Sequence, residues 1–181
     1  MPRHILSTVI ATFISTLASF SAPLADPQSN ATQPLDEDTI AQINQLYRRL
    51  IDAENRHDLA AVRPMVWDST STLFVAKTAT AAEGNWAGFW GTDVVMQHFA
   101  DLYSGTFVMA PDYARVKTVG LSRDVALTYA PLNITVSYAG QAAVPKPFLM
   151  IVNWVRTESG WKLATDVALP IPPVPQPSQA N

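Results

Sequence analysis

The sequence predicts an α+β fold, and three observations carry that prediction. Apolar residues recur with helical spacing early in the central part of the chain. After Gly105 the pattern changes to period two over successive segments. Turn signals then divide those segments, ending in the tight hairpin Glu158-Ser159-Gly160. Helices first and a run of antiparallel strands second is the layout of an α+β domain.

The first helix is expected over 38–57, where Ile40, Ile43, Tyr47, Leu50, Ile51 and Glu54 fall on one stripe with Leu46 beside them. Asp36, Glu37 and Asp38 at its start, and Arg48, Arg49, Arg56 and His57 toward its end, suit the helix dipole. Asp58 is placed to cap a short second helix that Pro64 cuts off. A strand is expected over 71–76. An irregular stretch follows over 81–90, punctuated by Gly84 and Gly88. A third helix then opens at Gly91-Thr92-Asp93, with Thr92 as its cap, and runs to about Tyr103. Its buried side is Val95, Phe99 and Leu102. Strands are expected over 113–119, 125–138, 148–157 and 161–168, with a turn over 120–124 and a loop over 140–147.

The two ends read differently from this middle. Residues 1–25 have the export pattern: basic Arg3 and His4, an apolar stretch from Ile5 to Phe20, then the small residues Ser19, Ser21, Ala22 and Ala25. The apolar stretch is short and polar for a membrane span of ~20 residues. It is therefore read as a signal peptide, followed by a polar linker over 26–35. Residues 170–181 hold five prolines and are expected to form a disordered tail. The domain is then 36–169. A periplasmic or secreted protein, with no membrane partner after cleavage, is the expectation.

Composition removes several function classes. Of 181 residues, 48% are hydrophobic and 15% charged, so general disorder is excluded. The net charge is −3, and Arg48-Arg49 is the only adjacent basic pair, which argues against a nucleic-acid partner. The chain has no cysteine, and so no disulfide, thiol nucleophile, thiolate metal site or lipidation site of that kind. No phosphate loop, dinucleotide fingerprint or Gly-x-Ser-x-Gly is present, so no cofactor is expected.

Two stretches bring a family resemblance. Asn55-Arg56-His57-Asp58-Leu59 resembles the turn between the first two helices of the nuclear-transport-factor-2-like (SnoaL-like) proteins. The run from Phe148 to Leu163, with Trp154, a glycine turn and Gly160-Trp161-Lys162-Leu163, resembles their closing hairpin. Gly91-Thr92-Asp93 before the third helix also fits. The resemblance spans 36–169. It implies a cone-shaped, curved antiparallel sheet closed by about three N-terminal helices, the cystatin-like roll, around an apolar pocket. It also implies, commonly, a homodimer through the sheet. The family's functions range from isomerases, cyclases and dehydratases to binding and association modules, so fold alone assigns no reaction. Ketosteroid isomerase-like members use an Asp base on the first strand. Here that position falls at Phe74 or Val75, and neither takes a proton.

The chemistry-bearing residues each carry two readings. Asp166, on the last expected strand, is either a pocket acid with a raised pKa or, by alternation against Leu163, Thr165 and Val167, a solvent-facing residue. Asp68, after Trp67, is either a pocket acid or a turn residue before Ser69-Thr70-Ser71. Trp86, Phe89, Trp90, Tyr103 and Phe107 flank the third helix as pocket wall or ordinary core. Asn133 and Asn153 orient a ligand if inward and are routine if outward. His98 is read as a half-exposed helical residue. With Asp101 three positions on it makes the best His–carboxylate pair, and that pair falls short of a metal site. The leading reading is an exported protein that binds a small apolar molecule. The alternatives are an acid–base enzyme using Asp68 or Asp166, and a homodimerising interaction module.

Overall fold

The computed structural model describes residues 35–78, 85–140 and 142–172. The expected signal peptide, nearly all of the linker and the tail beyond 172 lie outside these residues. Helix α1, Glu37–Asn55, starts at an Asp36 cap whose Oδ1 accepts from the Thr39 amide at 2.6 Å. Glu37 and Asp38 in its first turn face the positive end of the dipole. Its stripe of Ile43, Leu46, Tyr47, Leu50, Ile51 and Glu54 is buried. The turn that follows clamps α1 to the sheet. The Asn55 side chain donates to Met109 O at 2.8 Å and accepts from Met109 N at 2.7 Å. His57 takes a left-handed φ of 55°, lies 2.9 Å by Nε2 from Phe107 O, and stacks on Tyr103 at 4.9 Å. Asp58 caps α2, Leu59–Val62, through the Ala61 amide at 2.9 Å, and a 3₁₀ turn over Arg63–Met65 carries Pro64.

Strand β1 is Leu73–Lys77, β2 is Trp86–Trp90, and helix α3 is Thr92–Tyr103. Then come β3 Phe107–Pro111, β4 Lys117–Ser122, β5 Val125–Val136, β6 Lys146–Thr157 and β7 Gly160–Pro170. The sheet order is β2-β1-β7-β6-β5-β3, with β4 also paired to β5. Every join is antiparallel except β1–β7, so the curved sheet is mixed. The β6–β7 hairpin turns at Gly160, whose φ of 98° suits a residue without Cβ. One face of the sheet carries Phe74, Met109, Ala130, Met150, Trp154 and Ala168, and α1 and α3 bury it.

Several expectations change. The stretch before α3 holds β2, because Trp86, Phe89 and Trp90 suit a strand and Gly88 costs little on an edge paired only to β1. Strand β3 precedes β4. Its inward side chains Phe107 and Met109 alternate over too few residues to stand out. Strand β4 starts only at Lys117, because Asp112, which donates to Pro131 O, opens a turn through Arg115. Thr92 does not cap α3. Gly91 occupies the cap, and Thr92 Oγ1 instead accepts from Ser69 N at 2.9 Å and lies 2.7 Å from Trp67 O. The proline-rich tail does not begin at Pro170. Pro170 pairs with Phe148 in β7, and Ile171 N donates to Pro147 O at 3.0 Å.

Candidate ligand site in the cone

The site begins with a β-bulge. In β6 and β7, Asn153 pairs with Thr165 but Trp154 pairs with Leu163, so Ala164 has no partner. One extra residue moves the alternation by one, and Leu163 and Ala164 are both buried. Strict alternation from Leu163 predicts a solvent-facing Asp166. The bulge turns Asp166 inward with Ala168, and the residue is 3% exposed. The outward reading is therefore wrong, and its physical reason is this single register shift.

Asp166 lies between Phe74 on β1 and Val152 on β6 and faces the α1 side of the core. Opposite it stands Glu54, 2% exposed, on the apolar stripe of α1. Tyr47, seven residues before Glu54, lies on the same stripe about 10 Å along the axis. Glu54 Oε1, Asp166 Oδ1 and the Tyr47 hydroxyl are buried with no hydrogen-bond partner among the described residues, as is the Tyr103 hydroxyl.

Burial dominates the electrostatics. It pushes the Asp166 carboxyl up to about 8, opposed only by the Val167 amide. It raises Glu54 well above the usual carboxylate range, and the nearby charge of Asp166 raises it further. Tyr47 is raised by burial, then by Asp166 and Glu54, and Tyr103 by burial, then by Glu54 and Asp58. These mutual influences place Glu54, Asp166 and the two tyrosines in one electrostatic neighbourhood. Near neutral pH Asp166 is mostly a neutral acid, able to donate a hydrogen bond or exchange a proton.

Around Glu54 the walls are apolar: Phe74, Leu102, Met109, Ile134, Met150 and Ala168. The space they line is about 40 Å³. That holds a few waters, at roughly 10–15 Å³ each in this measure. Lys77, Trp86 and Phe148 also line this space and are shared with an open cleft of about 480 Å³ at one end of the cone. The cleft lies where β1 and β7 end and β2 and β6 begin.

The other sequence-derived residues divide. Trp86 lines both the cavity and the cleft. Tyr103 packs between Phe99 and Phe107 with its hydroxyl toward Glu54's neighbourhood. Trp90 is 59% exposed and lies outside the cavity. Asn133 is exposed, and Asn153 is half-buried on the face of β6 opposite Met150 and Trp154, so neither amide points into the cone. Asp68 is on the surface, its side chain 81% exposed and paired to Arg63 at 2.9 Å. The half-exposed reading of His98 is corrected: it is 1% exposed, stacks on Phe89 at 3.7 Å and packs edge-on to Phe74. Burial lowers it to about 4 against a weaker opposing pull from Asp101, so it is neutral at pH 7. No group of His, Cys, Asp or Glu that could hold a metal occurs among the described residues. Glu54 is the residue that sequence reasoning missed as chemistry. A carboxylate on an otherwise apolar stripe was its visible signal.

No protein-family model and no curated protein matches the chain. Solved structures do. A nuclear transport factor 2-like superfamily protein from Salmonella enterica aligns with TM-score 0.60 and 11% identity, over 80% of this chain and 98% of that one. A ketosteroid isomerase-like protein from Erwinia carotovora atroseptica aligns with TM-score 0.59 and 19% identity, over 76% and 100%. An uncharacterized protein with a cystatin-like fold from Caulobacter vibrioides aligns with TM-score 0.61 and 10% identity, over 75% and 92%. At these identities the likeness is one of fold, and the fold of this chain is the nuclear-transport-factor-2-like, cystatin-like cone. No helix among the described residues is long and apolar enough to cross a membrane.

Proposed function

We propose that the cone binds a small, largely apolar molecule bearing at least one hydrogen-bonding atom, which meets Asp166 and Glu54. The observation that carries this is Glu54 on an apolar cavity wall, with one oxygen of its buried carboxyl and one of the neighbouring Asp166 carboxyl left without a hydrogen-bond partner. A buried polar group without a partner costs roughly 1–3 kcal/mol, and a ligand atom that supplies the partner recovers part of that cost. The chain works as an exported protein, in keeping with the signal-like residues 1–25. Two copies pair through the sheet face that exposes Tyr129 and Leu169.

A second reading rests on Asp166 itself. A carboxyl held near 8 by burial is placed to donate and recover a proton at neutral pH. Acid–base catalysis then runs through Asp166 with Glu54, and Asp68 takes no part because it lies on the surface.

The binding reading is tested with 2-naphthol, an apolar probe with one hydroxyl, against naphthalene. The parent is expected to prefer 2-naphthol, Asp166→Leu to lose that preference, and Ala168→Phe to lose binding of both by filling the cavity. Equal binding of 2-naphthol by the parent and a folded Ala168→Phe protein would show that the cone is not the site.

A further inference from the structure

The cavity carries the acid Glu54 at depth and opens between cations at its mouth. Four strand ends build the mouth: Lys77 ends β1, Trp86 begins β2, Lys146 begins β6, and Pro170 with Ile171 ends β7. Lys77 and Lys146 are the only charged residues among the described ones that line the cleft, and the remainder, Trp86, Pro147, Phe148, Pro170 and Ile171, are apolar. Lys77 pairs across the strands with Trp86, and its Nζ lies 6.0 Å from the centre of the Trp86 ring, which keeps the ammonium over the cleft. The chain as a whole is acidic, at net charge −3. Two lysines alone on an apolar opening therefore stand out against their surroundings.

Depth has the opposite character. Along β7, Asp166 and Ala168 face inward in turn, and Pro170 reaches the mouth. Four residues of strand separate Asp166 from Pro170, about 13 Å. Over that distance the lining passes from Glu54 through Met150, Phe148 and Ala168 to the lysines. An anionic group placed at depth meets Glu54, and among the described residues no basic side chain lines the cavity except Lys77, which is at the mouth. The same group placed at the mouth meets two ammoniums. The open cleft of about 480 Å³ falls within the roughly 300–1,000 Å³ range of small-molecule sites, whereas the deep cavity alone does not.

We infer that the ligand is an amphipathic monoanion, an alkyl or aryl carboxylate or sulfonate, whose charged head lies between Lys77 and Lys146 and whose apolar body points down the cone toward Asp166. This rests on the binding reading above and adds to it a ligand class and a direction of entry. A neutral oxygen at the far end of the body, such as a hydroxyl, is the group that Glu54 can hold at the depth of the cavity.

The probes are decanoate and decan-1-ol, equal in chain length and different in head charge, titrated calorimetrically into the full chain below the micellar concentration of decanoate. Decanoate is expected to bind about tenfold more tightly, the sum of two partly exposed charge contacts. The Lys77→Gln/Lys146→Gln protein should erase that preference while leaving decan-1-ol unchanged. The Lys77→Arg/Lys146→Arg protein should keep it, and 0.5 M salt should shrink it. If decan-1-ol binds as tightly as decanoate, and the glutamine pair changes neither, the anionic head is refuted and the apolar cone site stands. If neither probe binds the parent or competes with 2-naphthol, the inference and the reading beneath it fall together.

Discussion

Two buried polar regions of this domain follow opposite rules. In the first, every group is answered in a directed chain. Trp154 Nε1 donates to Thr128 Oγ1 at 2.9 Å, and Thr118 Oγ1 lies 2.8 Å from Thr128 Oγ1 and donates to Asn44 Oδ1 at 2.7 Å. Since Thr118 gives its proton to Asn44, Thr128 gives its own to Thr118. The chain ties β6, β5, β4 and α1 together around the largest buried side chain of the core. In the second region, Tyr47, Glu54 and Asp166 are buried like Trp154 and Thr128 and have unpartnered atoms. A satisfied network fixes a core, whereas unsatisfied acids in an apolar core cost stability and are kept where a site needs them. The difference teaches that burial alone does not separate structural from functional polar residues here. Hydrogen-bond bookkeeping does.

Breaking the satisfied region should have the largest effect. Trp154→Ala removes a fully buried indole and the hydrogen bond it donates to Thr128, and should cost about 3–5 kcal/mol in urea denaturation. A loss below about 1 kcal/mol would mean that the chain is not what holds β4 to β6. Asp68 provides the smallest effect and sharpens the contrast from outside. Its pair with Arg63 is exposed, so Asp68→Ala should change stability by less than about 0.5 kcal/mol and leave 2-naphthol affinity unaltered. A marked loss of affinity would return Asp68 to the site.

The sequence shows the gross architecture because its largest signals are local. The stripe of α1, the Asp58 cap and the long alternation of β5 survive into the structure with shifts of a residue or two. What stayed hidden depends on pairing between distant segments. The parallel β1–β7 join is such a case, since a strand's partner is not written in its own pattern. Asp166 is another. Its inward direction comes from a bulge opposite Asn153 and Trp154, and local alternation gives the wrong face. Asn133 shares the outward side of β5 with Thr135, as alternation against Leu132 and Ile134 gives, whereas Asn153 sits in the near-continuous apolar run of β6, where only register puts it outside. His98 lies on the buried side of α3 because β2 brings Phe89 over it, and β2 itself was not legible. Glu54, by contrast, was visible as one acid in an apolar stripe.

The central claim is that Asp166 is buried as a neutral acid inside the cone, and its titration tests that most directly. Its carboxyl rises from 3.8 to about 8 on folding, so the folded state holds a proton that the unfolded chain releases between these values. Its stabilising contribution is complete below about pH 4 and is lost as the pH rises toward 8. Urea denaturation of the parent and of Asp166→Asn at pH 5 and pH 8 isolates this contribution. The parent should lose stability relative to the variant by a few kcal/mol, to order of magnitude, across that interval. Parallel pH dependences in the two proteins would mean that Asp166 titrates as an ordinary solvated carboxylate, and would contradict the account.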